Sequence, residues 1–171
     1  MLYLLDASVL ITANNLYYPI DQVPEYWEWL LHQASIGNIK IPLEIFEEIQ
    51  DGPTDKDKDL LFAWINNSDN KATLCLEDEV DILLVQRAVD EGYANNLNDV
   101  EIAAVGRDPF LIAHALADKD RCIVTVEGSK PGKQRQNKRI PDVCKGFSIP
   151  CCDTFMLNRT LGFRTDWKSK T

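Results

Sequence analysis

No apolar stretch of this sequence is long enough to cross a membrane. Its apolar runs are short, such as residues 82–85, whereas a membrane-spanning helix needs roughly 20 predominantly apolar residues. The first six residues contain no basic leader and reach a carboxylate at once, which is not the pattern of a secretory signal. We therefore expect a cytoplasmic protein without a membrane segment.

Cysteine pairs with metal-binding spacing are also lacking. The cysteines are Cys75, Cys122, Cys144, Cys151 and Cys152, an odd set with no CxxC spacing. This pattern argues against a disulfide framework and against a structural zinc site. We expect buried apolar thiols, with a redox pair at the adjacent Cys151 and Cys152 as the less favoured alternative.

Positive charge is in short supply over the chain as a whole. The net charge of −9 argues against a protein that coats nucleic acid with a general basic surface. One segment is an exception, because residues 128–139 contain no acidic side chain and carry a local charge of +5. Its basic residues are Lys130, Lys133, Arg135, Lys138 and Arg139.

Strands and helices are predicted to alternate along the chain. The pattern predicts strands at residues 2–5, 39–41, 72–76, 121–126 and 149–152. It predicts helices at residues 24–35, 43–50, 60–66, 80–91, 110–116, 140–146 and 153–161, with a charged turn at residues 54–59. Asp108 is predicted to cap the helix that Pro109 opens, and residues 92–107 give no clear pattern. We expect one α/β domain over residues 1–171, with three α/β/α layers and a central, mainly parallel sheet.

Four acidic residues are predicted to meet at one edge of this sheet. Asp6 ends the first strand and Glu127 follows the strand at 121–126. Glu48 lies on the short helix after the second strand, and Asp108 caps a helix. In an open α/β sheet, the carboxyl ends of the strands and the starts of the following helices share one edge, where ligands bind. We therefore expect the four carboxylates to converge.

Such a cluster predicts a divalent-metal site. Ionised carboxylates repel one another, which raises at least one pKa, and hard cations such as Mg²⁺ or Mn²⁺ relieve the repulsion. A bound cation can activate water against a phosphodiester and stabilise the charge that develops on the phosphoryl oxygens. This chemistry needs no nucleophilic Ser, His or Cys, and the sequence offers none that is convincing.

The motifs around these residues resemble those of PIN-domain ribonucleases. Residues 4–11 (LLDASVLI) are similar to the family's opening strand, in which an Asp is followed two residues later by Ser or Asn. Residues 41–49 (IPLEIFEEI) resemble the second motif, with Glu48 in the acidic position and Glu44 and Glu47 as substitutes. Residues 108–116 (DPFLIAHAL) resemble the third motif. Residues 123–127 (IVTVE) resemble the fourth, with Glu127 where the family has Asp.

More narrowly, the whole chain resembles PIN-like toxins of the DUF4411 type, including residues 139–144 and 149–151. The resemblance implies an endoribonuclease, a hydrolase that leaves 5′-phosphate and 3′-hydroxyl ends. It implies Mg²⁺ or Mn²⁺ at Asp6, Glu48, Asp108 and Glu127, with support from Ser8 and Thr125. It also implies the toxin of a type II toxin–antitoxin pair, inhibited by a cognate antitoxin protein. Such toxins commonly form homodimers, and the helix at residues 26–31 is then a candidate surface.

The basic segment has two interpretations under this resemblance. It begins directly after Glu127, so its five cations are expected beside the metal edge. They could bind the RNA backbone without reading sequence. An acidic segment of an antitoxin could instead occupy the same patch and block the substrate.

Other functions compete with the nuclease. Asp6 could be only a helix N-cap. A HAD-like phosphatase also begins with an Asp at a strand end, but it needs a second Asp where this chain has Ser8. The alternative from another class is an inactive PIN-like module that binds RNA or protein. His114 lies off the face of Asp108, so we expect a structural role for it.

Overall fold

A four-stranded sheet lies at the centre of the protein, whose computed structural model describes residues 1–52 and 59–169. The strands are β1 (Leu2–Leu5), β2 (Ile39–Lys40), β3 (Arg121–Val124) and β4 (Cys151–Cys152). They are all parallel and run in the order β2-β1-β3-β4. Helices flank this sheet, so the predicted three-layer α/β/α class with a parallel sheet is confirmed.

Ten α-helices are found in the described part of the chain. They are α1 (Ala7–Thr12), α2 (Pro24–Ser35), α3 (Leu43–Asp51), α4 (Leu60–Asn66), α5 (Ser68–Leu74), α6 (Ile82–Arg87), α7 (Asp99–Val105), α8 (Asp108–Leu116), α9 (Ile140–Phe147) and α10 (Thr154–Thr160). Two π-helical turns, Ala13–Tyr17 and Ala88–Tyr93, extend α1 and α6, and 3-10 turns lie at Arg135–Asn137 and Trp167–Ser169. The predicted charged turn at residues 54–59 lies outside the described residues except for Asp59, which caps α4 through the amide of Phe62.

β3 and the second half of β1 are buried because both faces of the sheet are covered there. Every residue of β3 is buried, and Leu4 and Leu5 of β1 are fully buried. A continuous apolar run, rather than alternation, is what a doubly covered parallel strand requires. Leu5 of β1 pairs with Val124 of β3. The residues that follow these two strands, Asp6 and Thr125, therefore lie side by side at the carboxyl edge of the sheet.

The prediction of a strand at residues 72–76 is wrong. Asn67 caps a helix there, accepting hydrogen bonds from the amides of Asp69 and Asn70, and α5 continues to Leu74. Only an isolated parallel bridge joins Ile41 to Cys75. The short apolar run carried no periodicity that distinguished a strand from a helix end, so the Asn cap upstream decided the conformation.

The aromatic helix proposed as an exposed dimer surface is instead part of the core. Tyr26, Trp27, Trp29 and Leu30 of α2 are each at most 2% exposed. The ring of Tyr26 stacks on that of Tyr18 at 4.2 Å. Packing within this chain therefore accounts for the aromatic residues of the helix.

Two further sequence expectations change in detail. Cys122 and Cys144 are buried free thiols, whereas Cys75, Cys151 and Cys152 are only partly buried. Residues 92–107, which gave no clear pattern in the sequence, contain α7. Asn98 and Glu101 form a capping box at the start of this helix.

None of the described helices is long and apolar enough to span a membrane.

Candidate functional site

Asp6 is the buried base of the candidate site. Its side chain is 5% exposed, and one carboxylate oxygen accepts hydrogen bonds from the hydroxyls of Ser8 and Thr125, the latter at 2.8 Å. Burial raises the pKa of the Asp6 carboxyl; the two hydroxyls oppose that rise, and the charge of Glu127 adds to it. Asp6 occupies the N-cap position of α1 but makes no capping hydrogen bond of ordinary geometry, so capping does not explain the carboxylate.

Asp108 lies at the start of α8, one residue inside the helix rather than at its cap. Arg107 is the N-cap residue, so the predicted capping role of Asp108 is wrong. Its carboxylate accepts a hydrogen bond from the hydroxyl of Tyr93 at 3.1 Å. Burial and the charge of Asp6 raise the pKa of Asp108 to about 7, against the opposing effect of Tyr93.

Glu48 contributes a carboxylate oxygen that is left without a partner. Its Oε2 atom is buried and accepts no hydrogen bond from the described residues. Burial raises the pKa of Glu48, the charge of Asp6 raises it further, and the Arg107 guanidinium lowers it. A buried oxygen of this kind costs free energy unless a ligand satisfies it.

Glu127 is close to the other carboxylates, but both of its oxygens are engaged. Oε1 accepts a hydrogen bond from Arg139 at 2.6 Å, and Oε2 accepts one from the amide of Ile140 at 2.9 Å. These contacts fasten the end of the basic segment to the residue that precedes it. The role of Glu127 as a metal ligand stays a prediction, and it requires at least one of these contacts to open.

The acidic groups surround one pocket. Glu48, Asp108 and Glu127 line a cavity of about 350 Å³, and Lys133 and residues 136–139 form another part of its wall. Asp6 is not part of the lining, yet its charge raises the pKa of both Glu48 and Asp108. Glu48 and Asp108 are therefore close enough to Asp6 for its charge to act on both carboxylates.

The two predicted substitutes for Glu48 are engaged elsewhere. Glu44 Oε2 lies 3.2 Å from Nε2 of the buried His114, whose pKa burial lowers. Glu47 accepts a hydrogen bond from Arg107 at 2.7 Å. His114 thus has the structural contact expected of it, and Glu48 is the acidic residue of α3 that lines the pocket.

Arg107 joins the two helices that carry Glu48 and Asp108. Its guanidinium donates to the backbone oxygen of Glu44 at 2.6 Å, to Glu47 and, at 2.9 Å, to Asp51. Sequence analysis missed both Arg107 and Tyr93, because their importance comes from contacts far along the chain. The proximity of Arg107 to Asp108 in the sequence was the one available signal.

The basic segment is largely tied to the body of the protein. Arg135 donates to Asn96 and, through two bonds of 2.6 and 2.7 Å, to Glu101. Lys138 donates to the backbone oxygen of Gly92 at 2.7 Å, and Arg139 binds Glu127. Of the five cations predicted to bind RNA, these three have structural partners, whereas Lys130 and Lys133 have no ion pair among the described residues.

The donor set suits Mg²⁺ or Mn²⁺. Within residues 1–52 and 59–169, no three Asp, Glu, His or Cys side chains form a group ready to hold a metal ion. Mg²⁺, however, keeps several waters and needs only one or two protein carboxylates, with substrate phosphate completing its shell. The unpartnered oxygen of Glu48 and the repelling carboxylates of Asp6 and Asp108 meet that requirement.

Fold and site together define an α/β/α protein with an acidic pocket at the carboxyl edge of a parallel sheet. The chain matches the family described as "Domain of unknown function (DUF4411)" over residues 3–165. Because this match spans nearly the whole chain, the protein belongs to that family. No curated protein and no solved structure matches it.

Proposed function

We propose that the protein is a divalent-metal-dependent endoribonuclease. The observation that carries the proposal is the pocket lined by Glu48 and Asp108, whose pKa values are raised by burial and then by the charge of the nearby buried Asp6. An oxygen-only cluster of this kind suits Mg²⁺ or Mn²⁺. When bound, such a cation supplies Lewis-acid stabilisation of phosphoryl oxygens and lowers the pKa of water.

The chain's own residues would hold and orient this chemistry. Ser8 and Thr125 fix the orientation of the Asp6 carboxylate, and Tyr93 does the same for Asp108. Glu48 offers its free oxygen. Glu127 holds the wall of residues 133–139 in place through Arg139 and would join the ligands only by releasing that contact.

Cleavage of labelled RNA tests the proposal. We expect the purified protein to cut RNA with Mn²⁺ or Mg²⁺ and to lose activity in EDTA. Asp6→Asn and Asp108→Asn should each lose activity by a factor on the order of a hundred or more, because each removes a charge that the cation needs. Asp21→Asn, an equivalent change at an exposed position outside the pocket, should cleave like the wild type. Cleavage that survives EDTA or Asp6→Asn contradicts the mechanism.

We further propose a cytoplasmic toxin whose cognate antitoxin protein covers the pocket. Its support is the sequence resemblance together with the exposed Lys133, which lines the acidic pocket and which an acidic segment could bind. Expression should arrest growth, and Asp108→Asn should relieve the arrest. Unimpaired growth with soluble, RNA-cleaving protein contradicts the toxin role and leaves the nuclease intact.

An inactive RNA- or protein-binding module is the second candidate. The observation that favours it is Glu127, whose two oxygens are engaged by Arg139 and Ile140. This candidate predicts RNA binding that neither Mn²⁺ nor Asp6→Asn changes, and no cleavage of any RNA. Metal-dependent cleavage by the wild type excludes it.

A further inference from the structure

The part of the pocket wall that belongs to residues 133–139 is tied to the body of the protein by its own cations. The side chain of Arg135 makes four hydrogen bonds to Asn96 and Glu101, and Lys138 is bound to Gly92. Arg135 itself has a φ of 53°, in the left-handed region that residues other than glycine rarely adopt. Such a conformation persists only where its surroundings hold it, and it is typical of ligand-binding segments.

Three side chains on this part of the wall have no side-chain partner among the described residues. Lys133, Gln136 and Asn137 line the pocket and make no side-chain hydrogen bond or ion pair with the described residues. Lys133 offers an ammonium, and the two amides offer both donors and acceptors. The segment thus divides into residues that hold it in place and residues that present polar groups to the cavity.

We propose that this wall binds one unpaired nucleotide of an RNA strand, with Lys133 on a backbone phosphate and the Gln136 and Asn137 amides on the base edge. This inference rests on the proposed function for the cleavage reaction. It adds that the substrate is a single-stranded RNA. The cavity of about 350 Å³ falls in the range of about 300–1,000 Å³ that small-ligand sites have. Amide side chains read base edges, which are free in a single strand and occupied or inaccessible in an RNA duplex.

Binding measured without cleavage tests the proposal. The Asp108→Asn protein in EDTA is titrated with a short fluorescent single-stranded RNA, and anisotropy gives the affinity. Adding Lys133→Met should weaken binding by about fivefold and reduce the salt dependence by about one counterion. Lys130→Met is the matched control, because Lys130 lies on the same segment but does not line the pocket; it should change affinity less than Lys133→Met.

The amides are tested by base preference. Gln136→Ala and Asn137→Ala should alter the ratio of affinities among oligonucleotides of different base composition, whereas Lys133→Met should weaken all of them equally. A duplex of the same length should bind more weakly than the single strand. Equal effects of Lys133→Met and Lys130→Met, or equal affinity for duplex and single strand, overturn the inference.

The outcomes separate the two proposals. Single-strand binding through Lys133 without any metal-dependent cleavage supports this inference and contradicts the nuclease. Metal-dependent cleavage that is unchanged by Lys133→Met, Gln136→Ala and Asn137→Ala supports the nuclease and overturns this inference.

Discussion

Thr125, the residue that follows β3, is hydrogen-bonded to Asp6, the acidic residue that follows β1. Its hydroxyl donates to Asp6 at 2.8 Å and accepts the amide of Glu127 at 3.2 Å, so a single buried oxygen satisfies two groups. This position was assigned to a supporting role from the sequence. The structure adds that the same hydroxyl also holds the chain where it enters the basic segment.

Replacing this hydroxyl should destabilise the fold. Thr125→Val leaves the Asp6 carboxylate and the Glu127 amide each short of a partner, and we expect a loss of about 1–3 kcal/mol in the free energy of unfolding. Urea denaturation measures it. Thr125→Ser keeps the hydroxyl and should lose much less. Equal losses in the two variants would mean that the methyl group, not the hydroxyl, matters.

The raised pKa of Asp108 predicts a dependence of stability on pH. The folded protein keeps this proton up to a pKa of about 7, whereas the unfolded chain releases it near the ordinary value for Asp. Between these two values the folded state binds more protons, so the free energy of unfolding should fall as pH rises through the window. The raised pKa values of Asp6 and Glu48 act in the same direction.

Asp108→Asn isolates this effect from other titrating groups. Without divalent cations, the wild type should lose about 1–3 kcal/mol more unfolding free energy than the variant as the pH rises from about 4 to about 8. Chemical denaturation at each pH measures the difference. A difference that does not change with pH would show that Asp108 titrates normally.

At the scale of elements, Arg107 holds α3 against the start of α8. We expect Arg107→Ala to lower the free energy of unfolding by about 1–2 kcal/mol, mainly because the backbone oxygen of Glu44 loses its partner, whereas the exposed carboxylates of Glu47 and Asp51 regain water. It should also misplace Glu48 and thus reduce metal affinity. Arg164→Ala, which removes an exposed pair with Asp166, should change stability little.

Gly92 and Gly146 allow a test of how closely the second π-helical turn packs against α9. A Cβ at Gly92 would lie 2.8 Å from Cγ1 of Val143 and 3.0 Å from Phe147, so Gly92→Ala should cost about 1–3 kcal/mol. Gly146 is within α9 and has open space, so Gly146→Ala should be neutral or stabilising by up to about 1 kcal/mol. Thermal unfolding compares them. A harmless Gly92→Ala would mean that α9 can shift away.

The elements also show how far the sequence could be interpreted. Leu2–Leu5 and Pro24–Ser35 have the bounds predicted for them, because a buried parallel strand and a Pro-initiated helix carry strong local patterns. The prediction of a strand at residues 72–76 was wrong because a few apolar residues fit a strand and a helix equally well. Tyr93 and Arg107 were missed since their contacts to Asp108 and Glu47 are set by tertiary packing.

For the whole molecule, a divalent cation should raise the melting temperature. At the proposed site, the cation would bind the folded protein and relieve the repulsion that Asp6 exerts on Glu48 and Asp108. At a hundredfold excess over its dissociation constant it would contribute about 2.7 kcal/mol. Mg²⁺ or Mn²⁺ should therefore stabilise the wild type more than sodium chloride of equal ionic strength. Asp6→Asn should lose most of this difference. An equal rise with sodium chloride would contradict a metal site.

The strand order has a consequence for the newly synthesised protein. β1 forms the inside of the sheet together with β3, so β1, which is synthesised before β3, must wait for residues 121–124 before its second edge is paired. Asp6 receives the hydroxyl of Thr125 only at that stage. A nascent chain that ends before Thr125 has no assembled acidic site, so any activity of the pocket would begin only after this residue has been synthesised.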